Sequence, residues 1–211
     1  MKSLLFSDSI ILRLTIRLGD LVLLNLCYLL CCLPVFTIGA ATAALYAVCF
    51  RLGTKQEKKL LSSFFREFRS NLKRGTLLLL VLSLACAAAV GLVLLFLGAS
   101  GIGRSGLLPG LVLLLVCLIA AGYAFPLLSL FDNTCAGTLK NALILGLGYL
   151  PRSVCVVAVN LAPVILLLAD LELFLRLSIL LLFLYFSAAA YLNTFLLRKV
   201  FAPFLPQEPE E

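Results

Sequence analysis

Residues 107–131 run for 25 positions without one charged side chain, and residues 76–98 do the same for 23. A helix needs about 20 such residues to cross the roughly 30 Å hydrocarbon layer of a bilayer. Inside that layer every backbone N–H and C=O must be satisfied within the protein, which leaves helices or a closed barrel. The runs are apolar on all sides and not at alternate positions, so they predict helices. Two further runs, 153–169 and 173–197, add two spans. A first run, 18–50, is 33 residues long and would extend roughly 50 Å as one helix, too far for a single perpendicular crossing. Pro34 breaks it, because proline removes a backbone donor and clashes with the preceding turn. The break is either a kink or a hairpin. The fold class expected is therefore an all-α polytopic membrane bundle of about five spans.

Composition agrees with a lipid solvent: 63% of residues are hydrophobic and 13% charged, with a mean hydropathy of +1.16. The 211 residues suffice for one membrane domain, 1–199, and a proline-rich acidic tail, 200–211, expected to be disordered. A short amphipathic lead precedes the first run. Its apolar core starts late and acids precede it, so it does not read as a cleaved signal peptide.

The net charge of +7 does not imply nucleic acid, because the basic residues gather at the ends of apolar runs. That placement sets orientation and meets anionic headgroups. Between 51 and 74 stand eight Lys and Arg against Glu57 and Glu67, so this loop is expected on the cytoplasmic side. The loop 99–106, with Arg104 alone, then faces outward, and Arg198-Lys199 ends the last span on the inside. Gly122 and Pro126 are expected to bend the span 107–131 near its inner end.

Within the basic loop, Leu61, Phe64, Phe65, Phe68 and Leu72 recur at helical spacing, with Arg66, Arg69, Lys73 and Arg74 on the remaining surface. This predicts an interfacial helix over 60–75, phenylalanines toward lipid and cations among the phosphates, or docked on a partner. A second short helix, about 134–150, follows the capping trio Asp132, Asn133 and Thr134. At an offset of 67, Ser62/Ser129, Phe64/Phe131, Leu72/Leu139 and Lys73/Lys140 match, as an internal duplication of an interfacial helix entering a span would show.

The chain has no histidine. No imidazole base or shuttle can be built, and the acids fall near segment ends or in loops, not mid-span. The eight cysteines form no Cys-x-x-Cys pair, and seven lie in apolar runs, where they behave as small hydrophobes. Neither catalytic residues, a metal site nor a cofactor is expected. The candidate intramembrane polar residues are Asn25, Thr37, Asn160 and Asn193, which either line a solute path or bond between helices.

Four blocks carry a resemblance: "LPVFTIGAATAALYAV" (33–48), "SFFREFRSNLKRGTLLLL" (63–80), "FPLLSLFDNTCAGTLKNALILGLGYLPRS" (125–153) and "AYLNTFLLRKVF" (190–201). In that order they resemble the YesL-like family of small bacterial integral membrane proteins of unknown function. The resemblance implies a five-span protein of the cytoplasmic membrane of Gram-positive bacteria, associated with carbohydrate ABC importers, and implies no catalytic residue. The expected function is thus a non-enzymatic accessory or scaffold subunit for such uptake, with an importer permease as partner. The alternative is a small-solute facilitator or channel. Gly137 ahead of Leu150-Pro151 has a superficial likeness to the coupling helix of importer permeases, but the spacing differs and the Glu-Ala-Ala signature is missing.

Overall fold

The computed structural model describes residues 2–52, 59–97 and 107–204, with side chains from residue 15 onward. All regular structure in these residues is helical. Helix α1 (Lys2–Cys32) stops two residues before Pro34, and a 3-10 turn (Val35–Thr37) leads into α2 (Ile38–Arg51). The Thr37 hydroxyl holds the break by reaching the carbonyls of Cys31 (2.5 Å) and Pro34 (2.6 Å). The Tyr28 and Thr42 hydroxyls meet at 3.4 Å across the turn, so α2 folds back beside α1. The proline break is a hairpin whose return arm, 14 residues or about 21 Å, is shorter than a full crossing.

Five helical segments are long and apolar enough to cross a membrane: Thr15–Cys32, Leu60–Leu97, Leu107–Leu130, Leu150–Ala169 and Leu171–Phe204. The chain is a multi-pass, membrane-type helical bundle. Helix α2 forms its centre, with every residue from Gly39 to Phe50 buried except the partly buried Thr42. Its Gly- and Ala-rich surface lets α1 and the helices that follow approach from several sides.

Helix α3 (Leu60–Leu97) corrects one expectation. The interfacial helix 60–75 and the following span, described as far as Leu97, are one unbroken helix of 38 residues, about 57 Å long. The amphipathic half is kept in line because α2 lies along it. At the crossing, a Cβ on Gly39 would stand 2.1 Å from the Gly75 carbonyl oxygen, so the two backbones touch. The Thr76 hydroxyl donates to the Phe36 carbonyl at 2.9 Å beside that contact.

Helix α4 (Leu107–Leu130) continues through Pro126 without interruption. After a four-residue turn, α5 (Cys135–Gly148) doubles back against it, burying Thr138, Ala142 and Gly146 at four-residue spacing. Thr134 caps α5 by accepting from the Gly137 N–H at 3.2 Å. The proposed duplication does not survive as a structural repeat: Ser62 to Lys73 lie on one helix, whereas Ser129 to Lys140 straddle the α4–α5 turn.

Helix α6 (Leu150–Ala169) and α7 (Leu171–Leu180) are joined at Asp170, which caps α7 by accepting from the Leu173 N–H at 3.0 Å. A π-helical turn (Leu181–Tyr185) connects α7 to α8 (Phe186–Phe201) without a break. Val200 and Phe201 are fully buried, and a 3-10 turn follows at Ala202–Phe204. The ordered bundle therefore extends past the expected limit at 199, because Phe201 packs among Phe50, Tyr123 and Phe131 at ring distances of 6.1–6.5 Å. The remainder of the tail, most of the loop 51–59 and the loop 99–106 lie outside the described residues.

Candidate functional sites: a basic face and an intramembrane cavity

The stripe expected to face lipid divides in two. Phe64 is fully buried, stacks on Phe68 (6.4 Å between centroids) and meets Phe65 edge-on (5.6 Å). Phe68 is half-buried against the core, while Phe65 is 49% exposed. The physical reason is the neighbour: α2 occupies the side on which lipid was expected, so the stripe seats the helix on protein. The opposite side of α3 carries Arg66, Arg69, Lys73 and Arg74, all exposed.

These cations are not equally available. Arg74 pairs with Asp132 at 2.9 Å, linking the N-terminal half of α3 to the α4–α5 turn. Glu67, only 16% exposed, binds Arg51 at 2.8 Å and lies 3.6 Å from Arg66. Arg51, Glu67, Ser70, Asn71, Arg74 and Asp132 line a polar depression of about 450 Å³ between α3 and the end of α4. Arg198 reaches across from α8 and donates to the carbonyls of Phe50 (2.6 Å) and Leu52 (3.4 Å). A cation at a helix C-terminus satisfies carbonyls left over by the helix and complements its dipole. The basic stop of the last span thus also closes the end of α2.

The four intramembrane polar candidates separate by role. Thr37 holds the hairpin turn described above. Asn25, fully buried, bridges the π-turn: its amide donates to the Leu182 carbonyl (2.7 Å) and its carbonyl accepts from the Ser187 N–H (3.0 Å). A π-turn shifts the backbone ladder, and Asn25 supplies partners to groups at both its ends. Both residues bond between or within helices.

Asn160 and Asn193 lie together. The Asn193 amide donates to the Asn160 Oδ1 at 2.9 Å and to the Tyr46 hydroxyl at 3.1 Å. Tyr46 and Asn160 line a half-open, mainly apolar cavity of about 270 Å³ between α1, α2, α4, α6 and the π-turn with α8. Tyr28, Thr42 and Tyr185 add hydroxyls to its wall, and Gly122, Ala121, Ala189 and Ala190 leave the space open. The Tyr185 hydroxyl also donates to the Val159 carbonyl. Sequence reading found the two asparagines but missed the tyrosines, whose signal was their position inside apolar runs.

No group of three or more metal-ligating side chains occurs among the described residues. Among the described acids, Glu67 and Asp132 pair with arginines, Asp170 caps α7, and Glu172 pairs with Arg176 one turn along at 2.5 Å.

Compared with known proteins, residues 21–99 match the model of a family described as "Protein of unknown function, DUF624". That match runs from Leu21 in α1 through α2 and α3, including the glycine crossing and the basic face, and leaves the α4, α6 and α8 walls of the cavity outside it. No curated protein and no solved structure matches the chain.

Proposed function

We propose that the protein is a non-enzymatic accessory subunit of the bacterial cytoplasmic membrane that acts through a second membrane protein. Carbohydrate uptake by an ABC-type importer of a Gram-positive bacterium is the process implied by the resemblance of its sequence blocks. The observation that carries the docking part is the basic row Arg66, Arg69 and Lys73, exposed on a helix held rigid by Phe64 and the Gly39–Gly75 contact. A prearranged row of charges pays less ordering entropy on binding than a flexible loop would, and it steers an acidic partner at long range.

Replacing Arg66, Arg69 and Lys73 together with glutamine leaves Arg74–Asp132 and Arg51–Glu67 intact, so insertion and unfolding behaviour should match the wild type. In mild detergent the variant should lose its co-purifying permease, and raised salt should weaken the wild-type association, because exposed charges are screened within about 8 Å at physiological ionic strength. Unchanged recovery of the same partners would overturn docking through this face. Purified protein that alone carries a sugar across liposomes at a saturable rate would replace the accessory reading with that of a facilitator.

A further inference from the structure

We infer that the cavity between Tyr46, Asn160 and Tyr185 is a binding site for a small neutral molecule bearing several hydroxyls, a polyol. The inference stands independently of the docking face.

Its first support is an unmet hydrogen-bond requirement. Asn193 is fully buried behind the wall, where its amide donates to the Asn160 Oδ1 at 2.9 Å. Asn160, midway along α6, is exposed, and its Nδ2 shows no acceptor among the described residues. Turning either amide over changes which end is unmet without removing it. An amide without a partner in an apolar medium costs several kcal/mol, so the Asn160 Nδ2 on the cavity wall favours a polar occupant.

The second support is what the wall offers. Thr42 donates its one hydroxyl proton to the Ile38 carbonyl at 2.7 Å, so in the Tyr28–Thr42 contact Tyr28 is the donor. Tyr185 likewise donates to the Val159 carbonyl. Both phenolic oxygens keep lone pairs free, whereas Tyr46, which accepts from Asn193, keeps its proton free. The site therefore presents acceptors and donors in mixture, which hydroxyl groups satisfy because each is both donor and acceptor.

No charged residue lines the cavity. A carboxylate or ammonium ligand would enter an uncharged, low-dielectric site with no counter-ion and is disfavoured. The aromatic and aliphatic faces of Phe125, Leu45 and Leu118 suit the C–H surface of a polyol. The volume is that of about nine liquid waters, below the range of drug-sized pockets, so the ligand is small. A helix of a second copy could touch Asn160, but Tyr46 is 5% exposed and Asn193 fully buried, behind the surface such a helix would cover.

The test uses the full chain in nanodiscs and xylitol as probe, read by saturation-transfer NMR, with gluconate as the charged control. Saturable xylitol binding is expected, without binding of gluconate. Asn160→Leu and Tyr46→Phe should each weaken it at least tenfold while the far-UV circular dichroism is unchanged. Tyr46→Phe keeps the ring and guards against a folding defect in the first variant. Absence of saturable xylitol binding to the wild type overturns the proposal, as does equal binding of gluconate. Retained affinity in both variants also overturns it, and if Asn160→Leu then dissociates an oligomer, Asn160 belongs to an interface between copies.

Discussion

The contact between Gly39 and Gly75 makes the sharpest stability prediction. A Cβ at 75 would lie 2.6 Å from the Ala40 nitrogen and 2.7 Å from its Cα, and one at 39 would lie 2.1 Å from the Gly75 oxygen. All of these are backbone atoms, so no side-chain rotation relieves the clash. To restore an ordinary contact of 3.4 Å for Gly39→Ala, the helices must part by about 1.3 Å. A gap near 1 Å already forfeits a quarter to a half of each dispersion contact along the seam. Overpacking of this kind costs about 1–3 kcal/mol. Loss of the neighbouring Thr76–Phe36 hydrogen bond adds about 1 kcal/mol, and the better helix propensity of alanine returns about as much. Each single variant should therefore lose about 2 kcal/mol, measured by reversible unfolding in mixed micelles. Gly91→Ala is the control: nothing lies within 4 Å of its Cβ position, so it should be neutral or gain up to about 1 kcal/mol. The double variant should fall short of additivity, because the first alanine already opens the seam for the second. Unchanged or raised stability of Gly75→Ala would refute the reasoning.

Phe64→Ser should cost about 3–5 kcal/mol by the same assay, as loss of a buried aromatic does, whereas Phe65→Ser should cost under about 1 kcal/mol. Equal losses would mean that both rings face the same medium. Asn25→Leu leaves the Leu182 carbonyl and the Ser187 N–H without their partner, about 1–3 kcal/mol for each group. Hydrogen exchange at the Ser187 amide should accelerate, and an unchanged rate would show that Asn25 does not hold the π-turn.

The spans were legible because hydropathy acts through length alone. A run such as 107–131 needs no partner to be read, and Pro34 marks its break by its missing N–H. Orientation of faces was not legible in the same way. The Leu61–Leu72 stripe is apolar whether it meets lipid or protein, and only the position of α2 decides between them. The hairpin at Pro34 was an open alternative because kink and reversal share the same residue signals; the Tyr28–Thr42 contact distinguishes them. Of the polar candidates, Asn160 and Asn193 were recognisable as amides in apolar runs, but their pairing spans 33 positions and depends on how α6 crosses α8. The π-turn left no mark, since "LLFLY" is apolar in any helical register.

The last helix closes the first hairpin: Arg17 bonds Tyr191, Asn25 bonds Ser187, Tyr46 bonds Asn193, and the end of α2 takes its donor from Arg198. Those bonds join positions 146–174 residues apart. At synthesis rates of about 5–20 residues per second, an interval of roughly 8–30 s separates the emergence of the hairpin from that of its closing partner. During that time the Asn25 amide and the carbonyls at the end of α2 lack their final partners. The nascent chain is then most exposed to wrong pairing and to proteolysis, and a chain truncated before residue 187 never leaves that state. Biogenesis of this protein is thus a waiting problem, and the final fifteen residues of α8 are the clasp that ends it.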